Sequence, residues 1–210
     1  MKRNRRNFHR RMVYGYLWLF ILFLFTGCSV ISAADTPKRS YLLDIPLQPI
    51  PAANPNGKTL LVSIPKAAPG FDSMAQIYIR HQSVLEHYSK SQWVDTPARM
   101  LLPLLVLRLE STGKFAAVLS AATSPVAGEL RLDTEIIRLQ QEFLSEPSQV
   151  RLILRTQLLD MVAREVVVTQ LFEIVKDTPS ENAQGGVVAT NDAVAQVLDE
   201  LTAFLVKQVK

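Results

Sequence analysis

The chain has 210 residues, 48% of them hydrophobic and 20% charged, with a single cysteine and a formal net charge of +4. The surplus is local: Lys2, Arg3, Arg5, Arg6, Arg10 and Arg11 precede Cys28 with no acidic residue among them, so from Cys28 onward 17 basic residues face 19 acidic ones, a net of −2. That removes the electrostatic argument for nucleic-acid binding, and a lone cysteine excludes an internal disulfide.

Residues 1–27 read as a secretory signal peptide: a basic start, an apolar run from Met12 to Phe25, then small and polar residues. The run has 14 residues, short of the roughly 20 that a helix needs to cross a bilayer. Leu24-Phe25-Thr26-Gly27-Cys28 is the pattern of a lipoprotein processing site, which predicts cleavage before Cys28 and attachment of acyl chains to it. These chains are the only prosthetic groups expected, and two or more suffice for stable anchoring at about 0.8 kcal/mol per buried methylene. Arg5-Arg6-Asn7-Phe8 faintly resembles a twin-arginine signal, with general secretion the favoured route.

Residues 28–58 form a lipid-anchored, Pro-rich tether, since Pro37, Pro46, Pro49, Pro51 and Pro55 forbid a long regular element. Within it, Tyr41-Leu42-Leu43-Asp44 predicts a short edge strand that docks the tether onto the domain. Residues 59–210 are then one periplasmic domain, a size that supports one core.

Leu60, Val62 and Ile64 alternate as a buried strand ended by Pro65, and Pro69-Gly70 marks a turn that leaves Phe71 in an exposed loop. Ile77 and Ile79 alternate with Tyr78 and Arg80, and a strand at 84–88 completes a hairpin whose turn lacks glycine. Tyr88 to Pro97 is a polar stretch in which Trp93 either closes the following helix over the core or serves as an interface residue, the core reading being preferred. Thr96 caps a helix with Pro97 at its first position; Leu101, Leu105 and Leu109 give the helical period, Pro103 predicts a bend, and Gly113 suits the left-handed position beyond the end.

Residues 116–119 read as a strand and 120–128 as a loop. Three long alternating strands follow. In the first, Leu130, Leu132, Thr134 and Ile136 share a face until the phase slips at Ile137 in favour of Leu139, Gln141 and Phe143, which predicts a β-bulge. Val150, Leu152, Leu154, Thr156 and Leu158 form the second apolar face, and Val166, Val168, Gln170, Phe172 and Ile174 the third. Their close spacing predicts an antiparallel meander with one wet face. Residues 177–186 read as a mobile loop, after which Thr190 or Asn191 caps a last helix with Val194, Val197, Leu198, Leu201, Leu205 and Val209 along one stripe. The fold class expected is α/β, specifically an α+β two-layer domain with helices on one face of a mainly antiparallel sheet.

Catalytic chemistry finds little support. The chain shows no Gly-x-Ser-x-Gly elbow, no phosphate loop or dinucleotide fingerprint and no His/Cys metal cluster. His81 and His87 are six residues apart, about 20 Å on an extended strand, and cannot share a metal unless the chain folds back between them. Asp133 and Glu135 alternate on the polar face of a strand and read as solvated charges. No enzyme activity, metal or diffusible cofactor is therefore expected.

The lipoprotein cysteine, the Tyr41-Leu42-Leu43-Asp44 motif, the Trp93 segment leading into a Leu-rich helix that ends near Gly113-Lys114-Phe115, and the closing amphipathic helix together resemble the ABC-type transport auxiliary lipoproteins, a family that includes paraquat-inducible protein C. The resemblance implies a non-enzymatic partner of an MCE-domain (mammalian cell entry) protein and, through it, of an ABC-type transporter that moves lipid between the two membranes of the envelope. Ser29, not Asp, after Cys28 favours the periplasmic face of the outer membrane. An envelope hydrolase and a regulator of a cell-wall synthase are the competing readings. Exposed Phe71, Tyr78 and Arg80, with Trp93 on its interface reading, are the candidate partner-binding residues, and a homo-oligomer is left open.

Overall fold

A computed structural model describes residues 37–209 of the chain. The expected signal peptide, Cys28 and the start of the tether lie outside the described residues. In chain order the elements are β1 (Arg39–Tyr41), β2 (Thr59–Val62), β3 (Lys66–Ala67), β4 (Ala75–Ile79), β5 (Glu86–Trp93), α1 (Pro97–Glu110), β6 (Ala117–Ser120), β7 (Leu130–Glu142), β8 (Gln149–Asp160), β9 (Glu165–Asp177) and α2 (Ala183–Gln208). No helix among the described residues is long and apolar enough to cross a membrane.

The nine strands form one sheet organised around β7. Along one edge β7 pairs over its whole length with β8, and β8 with β9, both antiparallel, which is the expected meander. Its other edge is shared in succession by three short parallel partners: β2 at Leu130 to Leu132, β3 at Glu135 and Ile136, and β4 at Gln141 and Glu142. The sheet forks there, with β6 parallel to β2 on one branch and β5 then β1 beyond β4 on the other. The antiparallel expectation therefore holds for the two longest ladders, while the N-terminal half is largely parallel. Local spacing could not report that, because each short strand pairs far away in sequence.

Both helices pack on the sheet and share one core with it. Leu60, Leu132, Ile136, Leu152, Leu154 and Leu158 meet Leu101, Leu105 and Leu109 of α1 and Leu198, Leu201 and Leu205 of α2, all nearly inaccessible to solvent. Each such side chain contributes about 1.5–3 kcal/mol relative to exposure. Helix α1 starts as expected, with the Thr96 side chain accepting from the Arg99 N–H, and Gly113 takes φ +60° after its end. The helix runs through Pro103, which is exposed together with Arg99. The carbonyl that Pro103 leaves without a partner thus lies on the wet side, where water can satisfy it.

Docking of the tether begins slightly before the expected motif. Strand β1 pairs Tyr41 with Trp93, and Leu43 and Ile45 enter the core. Asn191 accepts from the Asp44 N–H at 3.2 Å, so the residue expected to cap the last helix instead holds the tether.

Five local expectations are corrected. Helix α2 begins seven residues earlier than Thr190, capped by Asn182, whose side chain accepts from the Gly185 N–H. The glycines read as loop flexibility serve close approach: a Cβ on Gly186 would lie 2.4 Å from Gln141 Oε1. Strand β5 runs to Trp93, so the polar stretch from Tyr88 is sheet, stabilised by β1 along its free edge. Residues Lys66 and Ala67 form a bridge strand where a loop was expected. Finally, Ile64 and Val166 are exposed. A bulge where Leu158 and Leu159 face Val168 and Val166 turns Val166 to the open face, opposite Leu159.

Candidate docking surface

The hairpin of β4 and β5 is built as expected, and its turn solves the absence of glycine by placing Ser83 at φ +65°. A left-handed non-glycine residue is uncommon but tolerated in a turn. The Val84 N–H donates to the His81 carbonyl at 3.3 Å and closes it. His81 stands in this turn and His87 on β5, so the chain does fold back between them, but among the described residues no group of three His, Cys, Asp or Glu side chains is placed to hold a metal ion.

On the helix side of the hairpin the aromatic residues form a stack. The Tyr78 and Tyr88 rings are 4.6 Å apart, and Phe143 meets Tyr78 edge-on at 5.8 Å. Arg80 lies 5.7 Å over the Tyr78 ring and forms an ion pair with Glu86, donating from Nε to Oε1 at 2.9 Å. That hydrogen bond holds the Glu86 carboxyl below the usual range. Tyr88 donates to Gln141 Oε1 at 2.9 Å, Gln141 donates to Ser148 Oγ at 2.9 Å, and Ser148 shares a 2.6 Å hydrogen bond with Thr178. Burial, aided by Tyr78 and Glu181, pushes the Tyr88 phenol up to about 12. A buried chain satisfied at each step fixes the strand geometry rather than offering reactive groups.

The opposite, open face carries a groove of about 470 Å³. Its walls are Phe71, Ile79, Leu85 and Leu144, and its floor is Arg138, Gln140, Glu142 and Arg151. Local structure builds each wall. The Phe71 N–H donates to the Ala68 carbonyl, which fixes the turn after β3, and the Phe143 N–H donates to the Ile79 carbonyl, which holds Leu144 beside β4. The floor depends on the β7 bulge between Ile136 and Arg138. Without the extra residue, Arg138 would continue the inward series of Leu132, Thr134 and Ile136; with it, Leu139 and Gln141 turn to the helices and Arg138, Gln140 and Glu142 turn outward.

Glu142 is 6% exposed and accepts from Arg151 Nε and Nη2 at 2.9 and 3.1 Å and from Gln140 Nε2 at 2.7 Å. Burial by itself would raise its pKa, but the Arg151 and Gln140 hydrogen bonds outweigh it and hold the carboxyl below its ordinary value. Arg151 also pairs with Glu173. Arg138 makes no ion pair among the described residues.

The candidate residues therefore do not converge. Phe71 is half-buried in the groove wall, while Tyr78 and Arg80 stack on the other side of the sheet. Trp93 is 4% exposed and packed in the core, so its interface reading is set aside for the core reading. Periodicity and aromatic content missed Leu85, Leu144, Arg138, Glu142 and Arg151. The signal for the floor was the phase slip at Ile137, since a slip there puts Arg138 on the face of Gln140 and Glu142.

Comparison with known proteins finds a match to the family model for the ABC-type transport auxiliary lipoprotein component over residues 41–202. No curated protein matches the chain. Among solved structures, protein XCC0632 from Xanthomonas campestris superposes with a TM-score of 0.71 at 23% identity, covering 80% of this chain and 94% of that one. An uncharacterised protein gives a TM-score of 0.65 at 13% identity over 80% and 99% of the two chains. The hypothetical protein CT253 from Chlamydia trachomatis gives 0.50 at 10% identity over 71% and 96%. At these identities the structures speak for the fold.

Proposed function

The chain belongs to the ABC-type transport auxiliary lipoprotein family, and from that premise we propose that it is anchored through acyl chains on Cys28 to the periplasmic face of the outer membrane, where it binds an MCE-domain protein and docks an ABC-type lipid transport system. The observation that carries this reading is the family match over 41–202 on a chain that also has the lipoprotein cysteine pattern ahead of the domain. Its contribution is binding rather than catalysis: the carboxylates at the hairpin and the groove are engaged in ion pairs, Glu86 with Arg80 and Glu142 with Arg151, and the Tyr88 phenol donates to the Gln141 amide, which leaves Arg138 as the cation open to a partner.

The test is fractionation and co-purification in cells. Wild-type protein is expected to sediment with outer membrane and to co-purify the MCE-domain protein, and Cys28→Ala to give folded protein released into the soluble periplasm. Membrane retention of Cys28→Ala would overturn the anchor, and wild-type protein that co-purifies no MCE-domain protein would overturn the partnership.

A further inference from the structure

We infer that the open-face groove between the β3–β4 loop and the hairpin turn is the seat of a protein segment in which a carboxylate side chain neighbours a large apolar one, the carboxylate meeting Arg138 and the apolar group lying between Phe71, Leu85 and Leu144. The inference deepens the proposed partnership and rests on it for the identity of the chain that supplies the segment.

Three observations carry it. The first is charge. The Glu142 carboxylate at the groove floor is already taken up by Arg151 and Gln140, and Arg151 is further matched by Glu173. The remaining lining cation, Arg138, is exposed and makes no ion pair among the described residues, so the occupant it fits is anionic.

The second is exposed apolar surface. Leu85 is 46% and Leu144 48% exposed, beside half-buried Phe71. An aromatic residue and an arginine in a preformed depression have the composition of an interface centre, where a few buried anchors carry most of the affinity.

The third is preorganisation. The walls are fixed by backbone hydrogen bonds at Phe71 and Phe143, and an ideal Cβ at Gly70 would lie 3.0 Å from Leu85 Cδ1, so the loop and the hairpin turn already touch. A site that needs little ordering retains more of its interaction energy as affinity. The bulge that aims Arg138 outward belongs to the same construction, since bulges commonly re-aim side chains beside functional sites.

A protein segment fits better than a lipid headgroup because the floor offers a single free cation among satisfied polar groups, matched to one carboxylate, whereas a phosphodiester surface would favour several unpaired cations.

The experiment places a photo-crosslinking amino acid at position 85 or 144 of the full-length lipoprotein in cells, with position 162 at the turn between β8 and β9 as control. The expected adduct maps to a segment with neighbouring acidic and apolar residues, and Phe71→Ala and Arg138→Gln each reduce its yield at least tenfold while the domain still unfolds in urea with an unchanged slope. A lipid adduct, no adduct, or undiminished crosslinking in both variants overturns the groove assignment. If the MCE-domain protein co-purifies but neither position crosslinks to any protein, the groove is wrong and the partnership stands. If the mapped acidic and apolar segment belongs to another envelope protein, both variants abolish the adduct and no MCE-domain protein co-purifies, the groove stands and the MCE partnership fails.

Discussion

The two faces of β7 and β8 are made from the same strands and face opposite tasks. On the helix side, Leu132, Ile136, Leu152, Leu154 and Leu158 are sealed beneath α1 and α2. Their polar neighbours there are few and mostly bonded: Gln141 joins Tyr88 to Ser148, and the Thr190 hydroxyl donates to the Gly186 carbonyl. On the open side the strands carry Arg131, Asp133, Glu135, Arg138, Glu142, Arg151 and Arg155; Arg151 pairs with Glu142 and Arg155 with Glu135 across the strands, and Arg131 pairs with Asp133 along β7. The closed face holds the fold together by area removed from water. The open face contributes little by area and is free to be shaped for a partner, so substitutions on the two faces should fall on different measurements.

The largest expected effect belongs to the closed face. Leu201 is fully buried in α2 and packed in the single core. Leu201→Ala removes its transfer energy and leaves a cavity, and should destabilise the domain by about 2–5 kcal/mol, read as a fall in the urea midpoint with unchanged slope. A loss under 1 kcal/mol would mean that α2 is not the lid of this core.

An intermediate effect is expected where the open face is itself buried. Glu142→Gln leaves Arg151 with one fewer charged partner and should cost about 1.5–3 kcal/mol at neutral pH, the range for a hydrogen bond to a charged group. The pH dependence has a definite sign. The native carboxyl is held below its ordinary value of 4.5, so its stabilisation is complete above about that pH and is lost as pH falls through it towards the lowered native value. The variant should therefore show a flatter acid limb of stability between pH 5 and the native titration, with the two proteins converging in acid. Parallel acid limbs would mean that Glu142 titrates alike in folded and unfolded chains.

How far each face was legible in the sequence follows from the same physics. The closed face writes itself as periodicity: Val150 to Leu158 alternate, Val194 to Leu205 recur at helical spacing, and both patterns locate buried residues. Even the bulge at Ile137 is visible as a slip of phase. Short-range patterns do not report pairing partners, so the parallel attachment of β2, β3 and β4 to one edge of β7 was not readable. Nor was the early start of α2, because Gly185 and Gly186 suggest a loop until the side chain of Gln141 is seen to need the space. The groove brings together Phe71 from the loop before β4, Leu85 from the turn before β5, and Arg138, Leu144 and Arg151 from the β7–β8 hairpin, and no local pattern records that coincidence. The reading of Cys28 rests on a linear motif alone, and the residue lies outside the described part of the chain.

The smallest stability effect is expected at the residue with the largest proposed effect on binding. Arg138 is exposed and unpaired among the described residues, so Arg138→Gln removes no buried area and no ion pair; the change in folding free energy should stay within about 0.5 kcal/mol, as for surface substitutions away from special features. Crosslinking through Leu85 should nevertheless fall, because the guanidinium supplies the charge that the rest of the groove has already spent on itself. A loss of more than 1 kcal/mol would instead make Arg138 part of the folding machinery, compensating Glu142 from a distance in the manner of a structural charge. In that case the bulge at Ile137 would be explained by the core it protects, since without it an arginine would enter the series of Leu132 and Ile136 beneath the helices, at the several kcal/mol that an unpaired buried charge costs.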